Sequence, residues 1–327
     1  MALSGRVIRG RIKSVKNTKK ITKAMELVSA AKMRRSVNAA LQSRVYAQYA
    51  WDLLVRLRAG GDEDLQHPLL VQRAVKKILV VAITSNRGLA GAFTSNIIKK
   101  VAQQISRAHD VGVLRDGTKR IEPAVENPEM DFVIVGKRGE SLIRKVTNRV
   151  IASFVDVPDV PRFEHASPII RLATDAYARR EYDKVVVVYT HYVSALVQKT
   201  KIRQLLPVSA HDLEKTLFPD AVESVPATAP AGQEAKANAA IERAATFEPS
   251  RAAIISEAVT RLIESQVFQA ILESSASEHS ARMMSMRQAT DAATDMIDNL
   301  TLVFNQARQA SITKEISEIS AGKAALE

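Results

Sequence analysis

Two stretches of this 327-residue chain, 11–59 and 251–321, contain neither glycine nor proline. Those two residue types interrupt helices most strongly, so each stretch predicts one long helix, the first within residues 1–60 and the second within 250–327. At 1.5 Å per residue, unbroken helices of that size would extend roughly 70 Å and 100 Å, far beyond the ~30 Å of a small domain. They are expected to project from any globular body the chain forms.

The second stretch also carries the clearest periodicity in the sequence. Met286, Ala289, Ala293, Met296, Leu300, Val303, Ala307 and Ala310 alternate at spacings of three and four, the pattern of a coiled-coil seam. Its alanines allow a partner helix to approach closely. In the first stretch Ile8, Ile12 and Val15, then Ile21, Met25 and Val28, mark one apolar side. An intramolecular antiparallel two-helix coiled coil is the economical arrangement.

Between the helices, over residues 75–210, the pattern changes to short β-rich runs. Lys77 to Thr84, Phe132 to Gly136, Val150 to Val155, Val185 to Tyr192 and Lys201 to Leu206 read as strands. Ala92 to Ala108 and Pro168 to Tyr182 read as helices between them, so an α/β domain with a largely parallel sheet is expected. Residues 219–249 are rich in Ala, Pro and Glu and predict a flexible insertion.

Charge is informative once it is located. Residues 1–60 hold 14 Lys/Arg and 2 Asp/Glu, which accounts for the whole net charge of +12. Arg6, Arg9, Lys13, Lys16, Lys20 and Lys23 repeat at spacings near three and four, which places a basic ridge roughly 100° around the helix from its apolar side. A solvated face would explain an ordinary charge run. Concentration of the entire imbalance here points instead to an acidic partner: nucleic acid, an anionic membrane surface, or a carboxylate-rich protein face.

Several chemistries are disfavoured. Without cysteine, disulfides, thiolate metal sites and cysteine nucleophiles are excluded, which fits a reducing compartment. Apolar runs such as Ile78 to Ile83 fall far short of the roughly 18 residues a membrane span needs, and the first residues lack the apolar core of a secretory signal. Gly88 and Gly91 follow a predicted strand where a phosphate loop would sit, yet neither G-x-G-x-x-G nor G-x-x-x-x-G-K-[ST] occurs. The six histidines, His67, His109, His165, His191, His211 and His279, form no metal-ligand spacing. Glu278 and His279 are expected on a solvated helix face rather than in an acid–base site, and Met283, Met284, Met286 and Met296 as adaptable packing.

Two terminal segments resemble the gamma-subunit family of F-type ATP synthases. One is Ile12-Lys13-Ser14-Val15-Lys16-Asn17-Thr18-Lys19-Lys20-Ile21-Thr22-Lys23-Ala24-Met25-Glu26-Leu27-Val28. The other runs from Glu278 to Ile319 and includes Ala281-Arg282-Met283-Met284-Ser285-Met286 and Ala307-Arg308-Gln309-Ala310-Ser311-Ile312-Thr313. The family's Asp-Arg-Gly-Leu-Cys-Gly turn appears here as Asn86-Arg87-Gly88-Leu89-Ala90-Gly91, and Ala292 stands where an Asn is usual.

The resemblance implies a central-stalk rotor with a Rossmann-like α/β domain and no catalytic residue, cofactor or metal of its own. It implies partners as well: a hexamer of alpha and beta subunits, an epsilon subunit, and the c-ring, through which membrane contact would be indirect. Arg308, Gln309 and Thr313 match positions that touch the beta subunit, and the ridge would face that subunit's acidic lever. The expected location is the cytoplasmic face of a bacterial plasma membrane. A basic coiled-coil protein for nucleic acid is the alternative, weakened because Tyr46 and Tyr49 are the only aromatics among residues 1–50, leaving few stacking platforms.

Overall fold

A computed structural model describes residues 5–59, 67–116, 119–208 and 251–324. The elements are α1 (Gly5–Ala59), β1 (Lys77–Ile83), α2 (Phe93–Ser106), α3 (Ala108–Gly112), β2 (Leu114–Asp116), β3 (Lys119–Ile121), β4 (Glu129–Val135), α4 (Lys137–Ile143), β5 (Val150–Phe154), α5 (Phe163–Ala178), β6 (Lys184–Tyr192), β7 (Gln198–Leu206) and α6 (Arg251–Ala324). The expected class is found: two long terminal helices and a central α/β sheet. The expected insertion at 219–249 lies outside the described residues.

The chain divides into two compact units, one formed by residues 1–31 with 282–327 and the other by 32–281. In the first, α1 and α6 pack along a narrow seam. In the second, five strands run in the order β5-β4-β1-β6-β7. The pairs β1–β4, β1–β6 and β4–β5 are parallel, and β6–β7 is antiparallel across the connection 193–197.

The near-continuous apolar composition of the central strands follows from burial on both faces. Leu79, Val81, Ile83, Val133, Val185 and Val187 meet Ile169, Ala173 and Tyr177 of α5 and Val259, Ile263 and Val267 of α6. On the opposite face Ile78, Val80, Ala82, Phe132, Ile134 and Val186 meet Phe93, Ile97 and Val101 of α2 and Ile143 of α4. At about 25 cal/mol per Å² of apolar area, this double burial is the main source of the unit's cohesion.

Some boundaries differ from the sequence reading. Helix α5 starts at Phe163, upstream of Pro168, because the Arg162 N–H is satisfied by His165 Nδ1 at 3.3 Å, a capping group not recognisable from composition. It ends at Ala178, and Tyr182 instead reaches Asp131 with a 2.8 Å hydrogen bond. Strands β4 and β7 begin at Glu129 and Gln198, three residues earlier than the apolar runs suggest.

Candidate functional site

In the paired-helix unit, the inward positions of α1 are Ile8, Ile12, Val15, Lys19, Thr22 and Ser29, alternating by four and three until the last step. Each of Arg9, Lys13, Lys16, Lys20 and Lys23 comes immediately after one of these positions. All six ridge residues, Arg6 included, are exposed. Among the described residues, Lys23 pairs with Glu26 at 3.0 Å and Arg9 lies over the Phe304 ring at 5.2 Å. A groove beside the ridge is lined by Arg9, Lys13, Lys16, Lys20 and Lys23 together with Thr294, Ile297 and Asp298.

The inner row of α6 is Met286, Thr290, Ala293, Ile297, Leu300, Phe304 and Ala307. Met286 and Ala293 are buried and Ala289, Leu300 and Ala307 are half-buried, whereas Met296 is 53% and Val303 43% exposed and Ala310 is also exposed. Three of the seven inner positions, Thr290, Ile297 and Phe304, therefore lie one residue beyond the apolar positions of the sequence pattern. At Thr290 the hydroxyl bonds Thr22 Oγ1 at 2.8 Å and the Met286 carbonyl at 2.8 Å, which lets a polar side chain occupy the seam. On α1, Ile21 at 61% and Val28 at 53% are exposed, the inner row passing through Thr22 and Ser29 instead.

Arg308, Gln309 and Thr313 lie in a stretch of α6, 308–321, that is exposed throughout. The first described residue of α1, Gly5, stands level with Phe304: a Cβ there would meet the ring at 3.6 Å. Ile312, Ile316 and Ile319 share this exposed stretch.

In the sheet unit, the carboxyl ends of β1, β4 and β5 form the edge at which parallel α/β folds bind ligands. Here the edge is filled. Ile271, Ser274, Ser275 and Glu278 of α6 close over Thr84, Asn86, Gly136 and Asp159, leaving a cavity of about 30 Å³, room for a few waters at most and far below the roughly 300 Å³ of a small-molecule site. Gly136 is needed at φ +106°, and a Cβ on it would stand 2.5 Å from the Thr84 carbonyl oxygen, so the ends of β1 and β4 are in direct contact. In the turn singled out from sequence, Gly91 has φ +54° and Leu89 φ +64°; backbone geometry accounts for the former glycine.

Two polar clusters join the helices to this edge. Asp159 accepts from Lys32 and lies 3.8 Å from Arg87, while its carbonyl accepts the Ser275 hydroxyl at 2.7 Å and pairs with His279 Nε2 at 2.9 Å. Burial pushes the Asp159 carboxyl up, but the Lys32 hydrogen bond and the Lys32 and Arg87 charges outweigh it and hold the carboxyl below its ordinary range. The second cluster centres on Glu273 of α6, paired with His191 Nδ1 at 2.5 Å, Gln269 Nε2 at 2.9 Å and Arg44 at 3.6 Å. Burial again opposes ionisation of Glu273, and the His191 bond with the His191 and Arg203 charges lowers it nonetheless. His279, expected on a solvated face, is only 2% exposed: helix α6 is enclosed where it crosses the sheet, and its polar residues are internal partners.

Among the described residues no group of three His, Asp or Glu side chains is placed to hold a metal ion, and no helix is long and apolar enough to cross a membrane.

Comparison with known proteins gives a consistent result. A family model described as ATP synthase matches residues 4–326. The ATP synthase gamma chain of Stenotrophomonas maltophilia strain K279a is 37% identical over 324 residues, covering 99% of both chains. That of Pelotomaculum thermopropionicum is 37% identical over 322 residues, covering 98% of this chain and 99% of the other. A chain of the Euglena gracilis mitochondrial ATP synthase OSCP/F1/c-ring structure superposes with a TM-score of 0.61 at 20% identity, covering 98% and 94% of the two chains. A chain of the Tetrahymena thermophila mitochondrial ATP synthase central stalk and c-ring structure gives 0.54 at 23% identity, covering 82% and 99%. At these identities the structural matches speak to fold.

Proposed function

Since the chain belongs to the ATP synthase gamma-chain family, we propose that it is the central-stalk rotor of an F-type ATP synthase, coupling ion-driven rotation to the cycling of catalytic subunits. The observation that carries this is the 37% identity to gamma chains across 99% of the length. The paired helices turn inside a hexamer of alpha and beta subunits, and the sheet unit serves as the foot that meets the epsilon subunit and the c-ring. The rotor binds different conformations of each catalytic subunit with different affinity at each angle, and only such a difference can shift their equilibrium.

The chain itself performs no catalysis in this reading. Support comes from the filled carboxyl edge of the sheet, where α6 occupies the place a nucleotide would take. The ridge from Arg6 to Lys23 meets acidic faces of the beta subunits through long-range attraction, which favours sliding over locking. Arg308, Gln309 and Thr313 supply local contacts to the same subunits, since all three are exposed. The rotor sits at the cytoplasmic face of a bacterial membrane, attached through the c-ring.

Reconstitution tests this. The chain added to purified alpha and beta subunits is expected to co-assemble and to stimulate ATP hydrolysis. Absence of both, or displacement of the chain from that assembly by excess duplex DNA, would favour a nucleic-acid role instead.

A further inference from the structure

Asp159 lies in the loop between β5 and α5, and elements from three parts of the sheet unit converge on it. Its carboxylate accepts from Lys32 of α1 and faces Arg87 of the β1–α2 turn at 3.8 Å. Its backbone carbonyl receives the Ser275 hydroxyl at 2.7 Å and lies 2.9 Å from His279 Nε2, both on α6. Beside it, Ser36 Oγ of α1 and Ser275 Oγ of α6 stand 3.0 Å apart. One residue of the sheet domain thus holds both long helices where they are also bonded to each other.

The kind of contact matters for a part under load. Apolar burial is non-directional and scales with area, so a helix can roll or slide on an apolar surface with little loss until the area changes. Hydrogen bonds have a preferred length and angle and weaken steeply when bent. Over residues 259–271 α6 contacts the sheet through Val259, Ile263, Val267 and Ile271, which hold it against the sheet without fixing its rotation; further on, the Glu273–His191 pair and the Ser277 and Ser280 hydroxyls, donated to the Thr190 and Ala195 carbonyls, add directional contacts. The bonds at Asp159 fix rotation and axial position together. Both helices continue unbroken beyond this point, α1 towards Gly5 and α6 towards Ala324.

We propose that Asp159 is a positioning residue that locks α1 and α6 to the sheet domain, so that rotation imposed on that domain is delivered along the helices rather than absorbed at their base. This rests on the rotor reading. It requires no contact with substrate or with a catalytic subunit.

The test uses the full reconstituted synthase in vesicles with Asp159→Asn, Asp159→Glu and, should the first fail to assemble, Lys32→Ala. Two quantities are read: ions pumped per ATP hydrolysed, and amide hydrogen exchange over 32–36 of α1 in the assembled complex. Losing the charged bond should make those α1 amides exchange about tenfold faster, equal to ~1.4 kcal/mol of local opening. Pumping per ATP should fall while the rate of ATP hydrolysis holds, and Asp159→Glu should retain both values near those of the parent. Unchanged exchange, or an unchanged pumping ratio despite faster exchange, overturns the proposal. Failure of the parent chain itself to support pumping would instead remove the rotor reading, which keeps the two failures distinct.

Discussion

Thr290 on α6 donates to Thr22 Oγ1 on α1 across 2.8 Å, both side chains buried in the seam of the helix pair. A polar pair at one seam position fixes register more sharply than the surrounding apolar contacts, because any axial shift breaks a directional bond, even though Thr22 also reaches the Lys19 carbonyl and Thr290 the Met286 carbonyl. Thr290→Val should cost about 1 kcal/mol in urea unfolding, since it removes the hydrogen bond that Thr22 accepts across the seam. The double variant Thr22→Val with Thr290→Val should cost less than the sum of the single changes, because both partners are replaced together by apolar groups of the same shape. A strictly additive pair would show that the contact carries no coupling.

Glu273 gives a second prediction, on stability. It is buried, and removing one side of such a pair leaves His191 and Arg44 facing an empty place, so Glu273→Ala should cost about 3 kcal/mol. Its carboxyl is lowered in the folded state, as is that of Asp159. The linked stability is therefore fully present above the unfolded-state value of about 4.3 and is lost as pH falls from there through the lower folded value. The groups facing Glu273 are His191 and Lys201 from the sheet, Arg44 from α1, Gln269 from α6 and Arg203 from β7. Denaturant midpoints measured from pH 6 down to pH 3 should fall less steeply in Glu273→Ala than in the parent.

The basic ridge separates binding from folding. Lys13, Lys16 and Lys20 are exposed on α1, so changing all three to Gln should leave unfolding within about 0.5 kcal/mol per site. Association with an alpha–beta assembly should slow at low ionic strength, and the gap to the parent should close near 1 M salt, where screening acts over ~3 Å. A rate difference that persists at high salt would point to short-range contacts in place of steering.

Periodicity and composition made the outline of the fold readable: glycine- and proline-free stretches gave α1 and α6, and continuous apolar runs gave β1 and β6, because strands covered on both faces have no polar side to alternate. The details that escaped share one cause. Thr22, Ser29 and Thr290 line the seam as buried polar residues, Thr22 and Thr290 bonded to each other across it, so an apolar template passes them over and selects Ile21, Val28 and Met296, which are exposed. His279 and Glu273 have the composition of a solvated helix, yet are enclosed by the sheet and bonded to Asp159 and His191. The short strands β2 and β3 have three residues each, below the length at which alternation is distinguishable. The ridge, by contrast, needed only local spacing to be found, since exposed charges depend on no distant partner.

Arg308 offers the sharpest separation between a local contact and a general charge effect. It lies in the exposed 308–321 stretch of α6, so neither Arg308→Ala nor Arg308→Lys should move the unfolding midpoint by more than about 0.5 kcal/mol. A guanidinium presents a planar fork that grips carboxylate or carbonyl oxygens at two points, whereas an ammonium is a single point charge. If Arg308 acts through that geometry, Arg308→Lys should lower stimulated ATP hydrolysis almost as far as Arg308→Ala, and added salt should not equalise them with the parent. If it acts only as one more cation, the Lys variant should match the parent, and raising the ionic strength should bring the Ala variant level with both.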